Sequence, residues 1–483
     1  MVLLVFILPV AYWLIFKRVD KKKEKKKAKT LLKGEMIKAT LVGILLVLGL
    51  NNYVSAQNKY SLEQCKTLAL QNNALIKNSR LEIEASKQTK NAAFTKYFPN
   101  MSAQAMSFRF TDPLIDLKIP GGNLPVYDGN PANLATATQF AYFPGMSFSG
   151  LDKINTGVIA AVQPLYAGSR ISNGNKLANL GIEVSSEKSQ LNRNEVLLKT
   201  EEQYWQIVSL NEKMNTINSY EKLLDALYKE VNNAYQNGLI THNDLLKVKL
   251  KQSEVKMNKM KLDNGQHLAL MAFCQYIGVK YDSLLVLSDS VVNISKPTDV
   301  FVDHHQALTN RVEYQLLQKS IEAETYQTKL KRGEYLPELA VGAGAMYLGM
   351  DEKDNNNAFV MASLKIPVSD WWEASHTLKE RKLKEQIAKN NADNTSELLI
   401  VQMQKAWNEL QEADREIAVA EETVAQAEEN LKLNNDSYKS GMVNISDLLE
   451  AQALLQKAKD QLTDVRTNYQ NKLVAYMQVT GRY

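Results

Sequence analysis

Few side chains in this sequence have the type and spacing to run a reaction. Five histidines are scattered through 483 residues and only two cysteines occur, Cys65 and Cys274. Neither a four-thiolate zinc site nor a disulfide scaffold can be built from them. The two thiols could pair in an oxidising compartment, although nothing in their spacing requires it. His304 and His305 are adjacent, with no cysteine or carboxylate partner at metal-ligand spacing. Met257 and Met260 would suit a soft cation such as copper, but an isolated pair on a helix is ordinary gap-filling. Trp205 and Trp407 read as packing or interface residues. With no glycine-rich phosphate loop, nucleophile elbow or paired general acid and base, the chain reads as not an enzyme, without cofactor or metal.

What recurs instead is a turn. Tyr235–Leu246 and Tyr438–Leu449 both read Tyr-x-x-Gly-x-x-x-x-x-Asp-Leu-Leu. Gly238 and Gly441 break a helix and permit reversal, and Asp244 and Asp447 cap or lie near the start of the returning helix. Each turn carries apolar residues, Leu239 and Ile240 in one and Met442 and Val443 in the other. They suit either partner contacts or hairpin packing.

The elements around these turns are duplicated. Residues 69–99 align on 307–337 without gaps, through Ala69/Ala307, Leu70/Leu308, Asn72/Asn310, Ile83/Ile321, Glu84/Glu322, Ala85/Ala323, Tyr97/Tyr335 and Pro99/Pro337. Residues 164–278 align on 367–481, from Pro164/Pro367 and Lys176/Lys379 to Gly278/Gly481. The two offsets differ because the first copy carries an insertion between Pro99 and Pro164. Each copy reads helix, strand, loop, strand, long helix, turn, helix. Ile417, Ala420, Val424, Ala427 and Leu431 recur at spacings of three and four, as do Leu448, Ala451, Leu455, Ala458, Leu462, Val465 and Tyr469. That is a coiled-coil seam, with alanines allowing close approach. Leu210, Met214, Ile217, Leu224, Tyr228 and Val231 form a looser version. No proline interrupts Gly168 to Tyr235, a run that would make a helix of roughly 100 Å.

Short alternating segments lie between the helices. Leu339, Val341, Ala343 and Ala345 alternate with Ala340, Gly342 and Gly344. Val360, Ala362, Leu364 and Ile366 alternate with Met361, Ser363 and Lys365. Val158, Ala160 and Val162 extend the theme, and Met101 to Phe110 is a weaker strand. One apolar face on strands of about 9–11 residues suits an outer-membrane barrel, but four strands cannot close one, so closure needs several chains. The insertion from Thr111 to about Lys153 is rich in proline and aromatic residues; a constricting lid, a surface epitope and tolerated extra length all fit it.

The net charge of +5 belongs to the N-terminus. Residues 1–35 hold ten basic and three acidic side chains, and Lys38 adds one, so the chain from Gln57 onward carries 5 − 7 − 1 = −3. A nucleic-acid partner therefore loses its support. Met36 to Lys38 is a basic n-region, Ala39 to Leu50 an apolar core and Val54-Ser55-Ala56 a cleavage site, so 36–56 reads as a signal peptide. Residues 1–35 then read as an upstream-start extension, or alternatively as a membrane anchor.

With both turns in register inside long hairpins, and Pro99 and Pro337 ending matched helices, Tyr60 to Tyr483 resembles the outer-membrane efflux protein family, the TolC-like channels. The resemblance implies a mainly α fold with a transmembrane β-barrel part. A homotrimer would pool four strands per chain into a 12-stranded barrel, continued by a periplasmic α-helical tunnel. The first repeat would be 57–300, with strands near 100–110 and 155–165 and its tip at 235–246. The second would be 301–483, with strands near 338–348 and 358–367 and its tip at 438–449. The implied function is passive conduction across the periplasm and outer membrane in a tripartite efflux or secretion system. The implied partners are outer-membrane lipid, a periplasmic adaptor (membrane fusion) protein and an inner-membrane pump. The segment LPVAYWLIFKR resembles the last membrane helix of a resistance-nodulation-division pump, which points to that pump class. By position, Asp447 and Glu450 would ring the periplasmic gate, while Asp244 and Tyr438 would tie the two hairpins together. Gly238, Leu239, Ile240, Gly441, Met442 and Val443 would form the adaptor-contact tips. The chain departs from the pattern at Val443, where the best-defined lock in the family has an arginine. The competing reading is an inner-membrane-anchored periplasmic coiled-coil adaptor or scaffold without a barrel.

Overall fold

A computed structural model describes residues 59–483 apart from 284, 291–295 and 352. The N-terminal extension and the signal peptide lie outside the described residues. The chain divides into two units, Met1–Tyr60 with Leu284–Val286, and Ser61–Ser283 with Leu287–Tyr483. In the first, Lys59–Tyr60 is a short strand. Everything below concerns the second.

Seven helices dominate this unit: α1 (Leu62–Asn72), α2 (Ala74–Phe94), α3 (Arg170–Gln236), α4 (His242–Ile277), α5 (Val312–Glu334), α6 (Asp370–Lys439) and α7 (Ile445–Val479). The 67 residues of α3 and 70 of α6 make each about 100 Å long. Such helices do not hold alone; each needs an apolar stripe covered along its length. At one end α4 returns along α3, and α7 along α6. At the other, α2 packs on α3 and α5 on α6. The α2–α3 contact is polar as well as apolar: Ser86 and Ser185 hydroxyls lie 2.6 Å apart, and Asn192 donates to the Ser79 hydroxyl at 2.8 Å. The duplication is visible in packing, since Gly278 at the end of α4 abuts Asn72 as Gly481 abuts Asn310. Among the described residues no helix is long and apolar enough to cross a membrane.

Four strands, β1 (Asn100–Arg109), β2 (Lys153–Ala167), β3 (Glu338–Met350) and β4 (Lys353–Lys365), form one antiparallel sheet in the order β4-β3-β2-β1. Strands β1 and β4 are its edges. The register places Ala343 between Ala161 and Val360, and Ala345 between Ile159 and Ala358. One face therefore carries Met101, Ala103, Ile159, Ala161, Leu339, Val341, Ala343, Ala345, Val360, Ala362 and Leu364. The other mixes Ser102, Gln104, Thr156, Asn355, Asn357 and Ser363 with Val158, Ala160, Val162, Met346, Phe359 and Met361. The odd-numbered residues of β3 from Leu339 to Tyr347 are exposed and the even-numbered ones half-buried, as when side chains crowd on the concave side of a curved sheet. The alternation read at Val158, Ala160 and Val162 falls on the opposite face from Val341 and Ala343. It is Ile159 and Ala161 that join the apolar face, and β2 is apolar on both.

Candidate functional site at the hairpin turns

Both turns are built alike. Helix α3 ends with Gly238 at φ +71° and α6 with Gly441 at φ +72°, the left-handed region that a side chain would strain. Leu239 N–H then donates to the Ala234 carbonyl and Met442 N–H to that of Ser437, each at 2.9 Å, closing Schellman-type caps. The glycines are placed where the sequence puts them, but the N-caps are not the aspartates. Thr241 caps α4, its hydroxyl accepting from Asp244 N–H at 3.3 Å. Asn444 caps α7, accepting from the amides of Ser446 at 2.8 Å and Asp447 at 3.2 Å. Asp447 answers by accepting from Asn444 N–H at 3.2 Å, a reciprocal capping box. The spacings Thr-x-x-Asp and Asn-x-x-Asp carry the signal that identifies Thr241 and Asn444 as caps.

Asp244 is held differently. It accepts from the Thr241 hydroxyl at 2.7 Å and faces Lys247 Nζ at 3.5 Å. The Thr241 bond, aided by Lys247, keeps its carboxyl below the usual carboxylate range. Tyr438 is half-buried, and burial, with Glu230 and Asp244 nearby, raises its hydroxyl pKa. Tyr438 and Asp244 are thus within electrostatic reach across the two hairpins, while the hydrogen bonds of Asp244 go to its own. Asp447 is half-buried and Glu450 exposed on the same turn of α7.

The apolar tip residues divide. Leu239 is 76% exposed and Met442 75%, whereas Ile240 packs into a core and Val443 is half-buried. That core joins both hairpins. Ile217, Tyr220, Leu224, Leu227 and Val231 of α3 and Leu245, Val248 and Val255 of α4 meet Ile445, Leu448 and Leu449 of α7, with Tyr438 at its margin. Leu245, Leu448 and Leu449 of the motif therefore join the apolar core between hairpins, while Leu246 is exposed.

Farther from the turns the α3–α7 seam becomes polar. Two grooves of about 470 and 280 Å³ lie along it, lined by residues such as Gln203, Lys213, Asp464 and Asn471 in one and Tyr220, Gln452 and Gln456 in the other. Lys213 pairs with Asp464 at 2.5 Å. Asp460, one turn before Asp464, has a buried carboxylate oxygen without a hydrogen-bond partner. Burial raises its pKa, Lys213 opposing and Asp464 adding to the shift. The folded chain thus binds this proton more tightly than the unfolded chain. Stability from this group falls as pH rises from the ordinary carboxylate range through the raised value, and stays lower above it. Asp460→Asn is expected to raise the melting temperature near pH 7 and to lose that advantage near pH 3, as read by thermal unfolding at both pH values.

The remaining chemistry-bearing residues serve packing. Cys65 and Cys274 are free and buried. Burial pushes the Cys65 thiol up to about 12, far from nucleophilic thiolate. His304 is buried against the Tyr476 hydroxyl at 3.2 Å, and burial lowers its pKa. Trp407 packs between Phe301 and Tyr476, and Trp205 donates to Glu201 at 3.3 Å.

The chain is thus a duplicated helical-hairpin unit bearing one four-stranded antiparallel sheet. Residues 304–482 match the family model of the outer membrane efflux proteins. No curated protein matches the sequence. In fold the chain is similar to the Campylobacter jejuni CmeC outer membrane channel, with 15% identity and a TM-score of 0.67 over 87% of this chain and 85% of that one. The outer membrane protein VceC of Vibrio cholerae gives 14% and 0.66 over 87% and 96%. The Neisseria gonorrhoeae MtrE outer membrane channel, in its open state, gives 14% and 0.65 over 87% and 88%.

Proposed function

We propose that this chain is an outer-membrane efflux protein, the passive exit conduit of a tripartite efflux or secretion system. Three copies would pool their sheets into one barrel, and their hairpins would form a tunnel reaching an adaptor and an inner-membrane pump, of resistance-nodulation-division type. The observation that carries the reading is the sheet itself. It has one apolar face, a second face mixed with polar residues, and two edges, β1 and β4, of 10 and 13 residues. Edges of that length do not persist in hydrocarbon; they pair with the sheet of another copy. The match of residues 304–482 to the outer membrane efflux protein family supports the same reading.

Within this assembly Asp447 and Glu450 of each copy would converge at the periplasmic end. Carboxylates gathered around a narrow pore hold cations and repel anions. Leu239 and Met442, exposed at the tips, are the residues assigned to the adaptor. Single-channel conductance in a planar bilayer tests the reading. Wild-type protein should pass small, cation-selective currents, and Asp447→Ala/Glu450→Ala should pass currents several-fold larger with weaker selectivity. Equal currents in the two would move the constriction elsewhere, and no current from either, in folded protein, would sink the conduit.

A further inference from the structure

One amphipathic element is left uncovered in the single chain. Between β1 and β2 the backbone forms a two-stranded ribbon, Ile115–Ile119 pairing with Met146–Gly150 and Gly122–Pro125 with Phe140–Phe143. In the first ladder Leu117 lies opposite Phe148, and Ile119 opposite Met146. Ile115, Leu117, Ile119, Met146 and Phe148 therefore share one face, and Asp116, Lys118, Ser147 and Ser149 the other. The polar face is partly self-satisfied, with Lys118 Nζ 3.2 Å from Asp116. The apolar face is open: Leu117 is 57% exposed, Met146 50% and Phe148 64%. A two-stranded ribbon is marginal by itself, and a contiguous apolar patch on it marks an interface.

The root of this ribbon is fixed. Leu151 takes φ +66°, and the amides of Leu151, Asp152 and Lys153 all donate to the Asp351 carboxylate, at 2.7, 3.2 and 3.1 Å. Asp351 sits between β3 and β4 and donates its own N–H to the Lys153 carbonyl at 3.0 Å. The ribbon is thus latched to the opposite hairpin of its own sheet, and each copy must project it at the same angle from the rim.

We propose that the apolar ribbon face is covered by the ribbons of neighbouring copies of this chain, which narrow the outer mouth of the channel. The inference rests on the assembly proposed above. Sheets joined through β1 and β4 edges bring identical, latched ribbons to one rim, where their apolar faces are the complementary surfaces available. Lipid is the poorer occupant, because both outer edges of a two-stranded ribbon carry unpaired backbone groups that hydrocarbon cannot satisfy.

The experiment uses the full chain in liposomes, with wild type, Leu117→Cys and Phe148→Cys compared. The native thiols are buried, so wild type gives the baseline. Amine-reactive cross-linking first establishes that each variant is a trimer. Mild oxidation with copper–phenanthroline should then give inter-chain disulfides in both variants, and Phe148→Asp should raise conductance several-fold in the Asp447→Ala/Glu450→Ala background, where the periplasmic constriction no longer limits the current. Trimers whose new cysteines stay unlinked and react with a water-soluble maleimide would overturn the proposal in favour of an open face. Unlinked cysteines that react only after detergent extraction would overturn it in favour of lipid. Failure to form trimers in wild type would instead strike the channel assembly itself.

Discussion

Gly344→Val is expected to abolish the assembled, membrane-inserted form while leaving the packed helical hairpins able to fold. Gly344 lies in the middle of β3, opposite Ala160 on one side and Phe359 on the other, on the half-buried face of the sheet. A Cβ there would stand 2.5 Å from the Ile159 carbonyl oxygen, 2.8 Å from Phe359 Cζ and 3.1 Å from Ala160 Cα. Two of the three obstacles are backbone of a paired neighbour, which moves only by breaking the ladder. Overpacking with side-chain relief costs about 1–3 kcal/mol, and here the backbone must shift too, so about 3 kcal/mol or more is expected. Every copy in an assembly carries the same defect, which multiplies the loss. Gly344→Ala should fall between, since it brings the same Cβ without the branches. The control is Ala345→Val, one residue on and exposed on the opposite face, which should assemble normally. Protease-resistant oligomer in semi-native electrophoresis reads all three; normal assembly of Gly344→Val would show that the sheet is looser than its register implies.

This residue also marks where sequence stops being informative. The long helices were legible because spacings of three and four persist for many turns, and the seam through Leu448, Ala451, Ala458 and Tyr469 is buried along α7. The reversals were legible because glycine alone accepts the left-handed conformation of Gly238 and Gly441 without strain. Strand faces were less so. Alternation in β3 is clean, but Val158 to Val162 is apolar at every position, and a period of two cannot tell which face such a strand turns outward. The ribbon hides similarly: Ile115, Leu117 and Ile119 alternate with Asp116 and Lys118, yet surrounding prolines read as loop. At the turns, the aspartate of the repeated motif drew attention from Thr241 and Asn444 three residues earlier, although a carboxylate at the third helical position is half of a capping box. Groups drawn together from distant parts of the chain leave no trace of that kind, because nothing local depends on their proximity.

Glu201 is the clearest such case, and Glu201→Ala should carry the largest cost of any single side-chain removal in the helical part. Its carboxylate, on α3, is 6% exposed as a residue. It receives Lys66 Nζ from α1 at 2.7 Å, the Trp205 indole N–H at 3.3 Å and the hydroxyl of Tyr483. Burial beside Glu201 raises the Tyr483 pKa, so that hydroxyl stays a donor. Lys66 also lies 5.0 Å over the Tyr483 ring. Removing the carboxylate strands an ammonium that is itself largely buried, with the exposed Glu63 at 3.2 Å and the Tyr483 ring left to compensate, and leaves two donors unpaired. Breaking one side of such a pair costs about 3–5 kcal/mol. Tyr483→Phe removes a single hydrogen bond and should cost about 1–2 kcal/mol. Glu201→Gln, which keeps an acceptor but not the charge, should lie between. The expected readout is local: faster hydrogen exchange in α1, the end of α7 and Tyr483, with the turn-proximal core unaffected. The decisive variant is Lys66→Met/Glu201→Leu, which replaces both charges by apolar groups. If the pair fixes the C-terminus by charge, the double variant should recover stability but not protection of Tyr483, because the partner of its hydroxyl is gone. If it recovers both, packing alone holds the end of the chain and the ion pair is incidental.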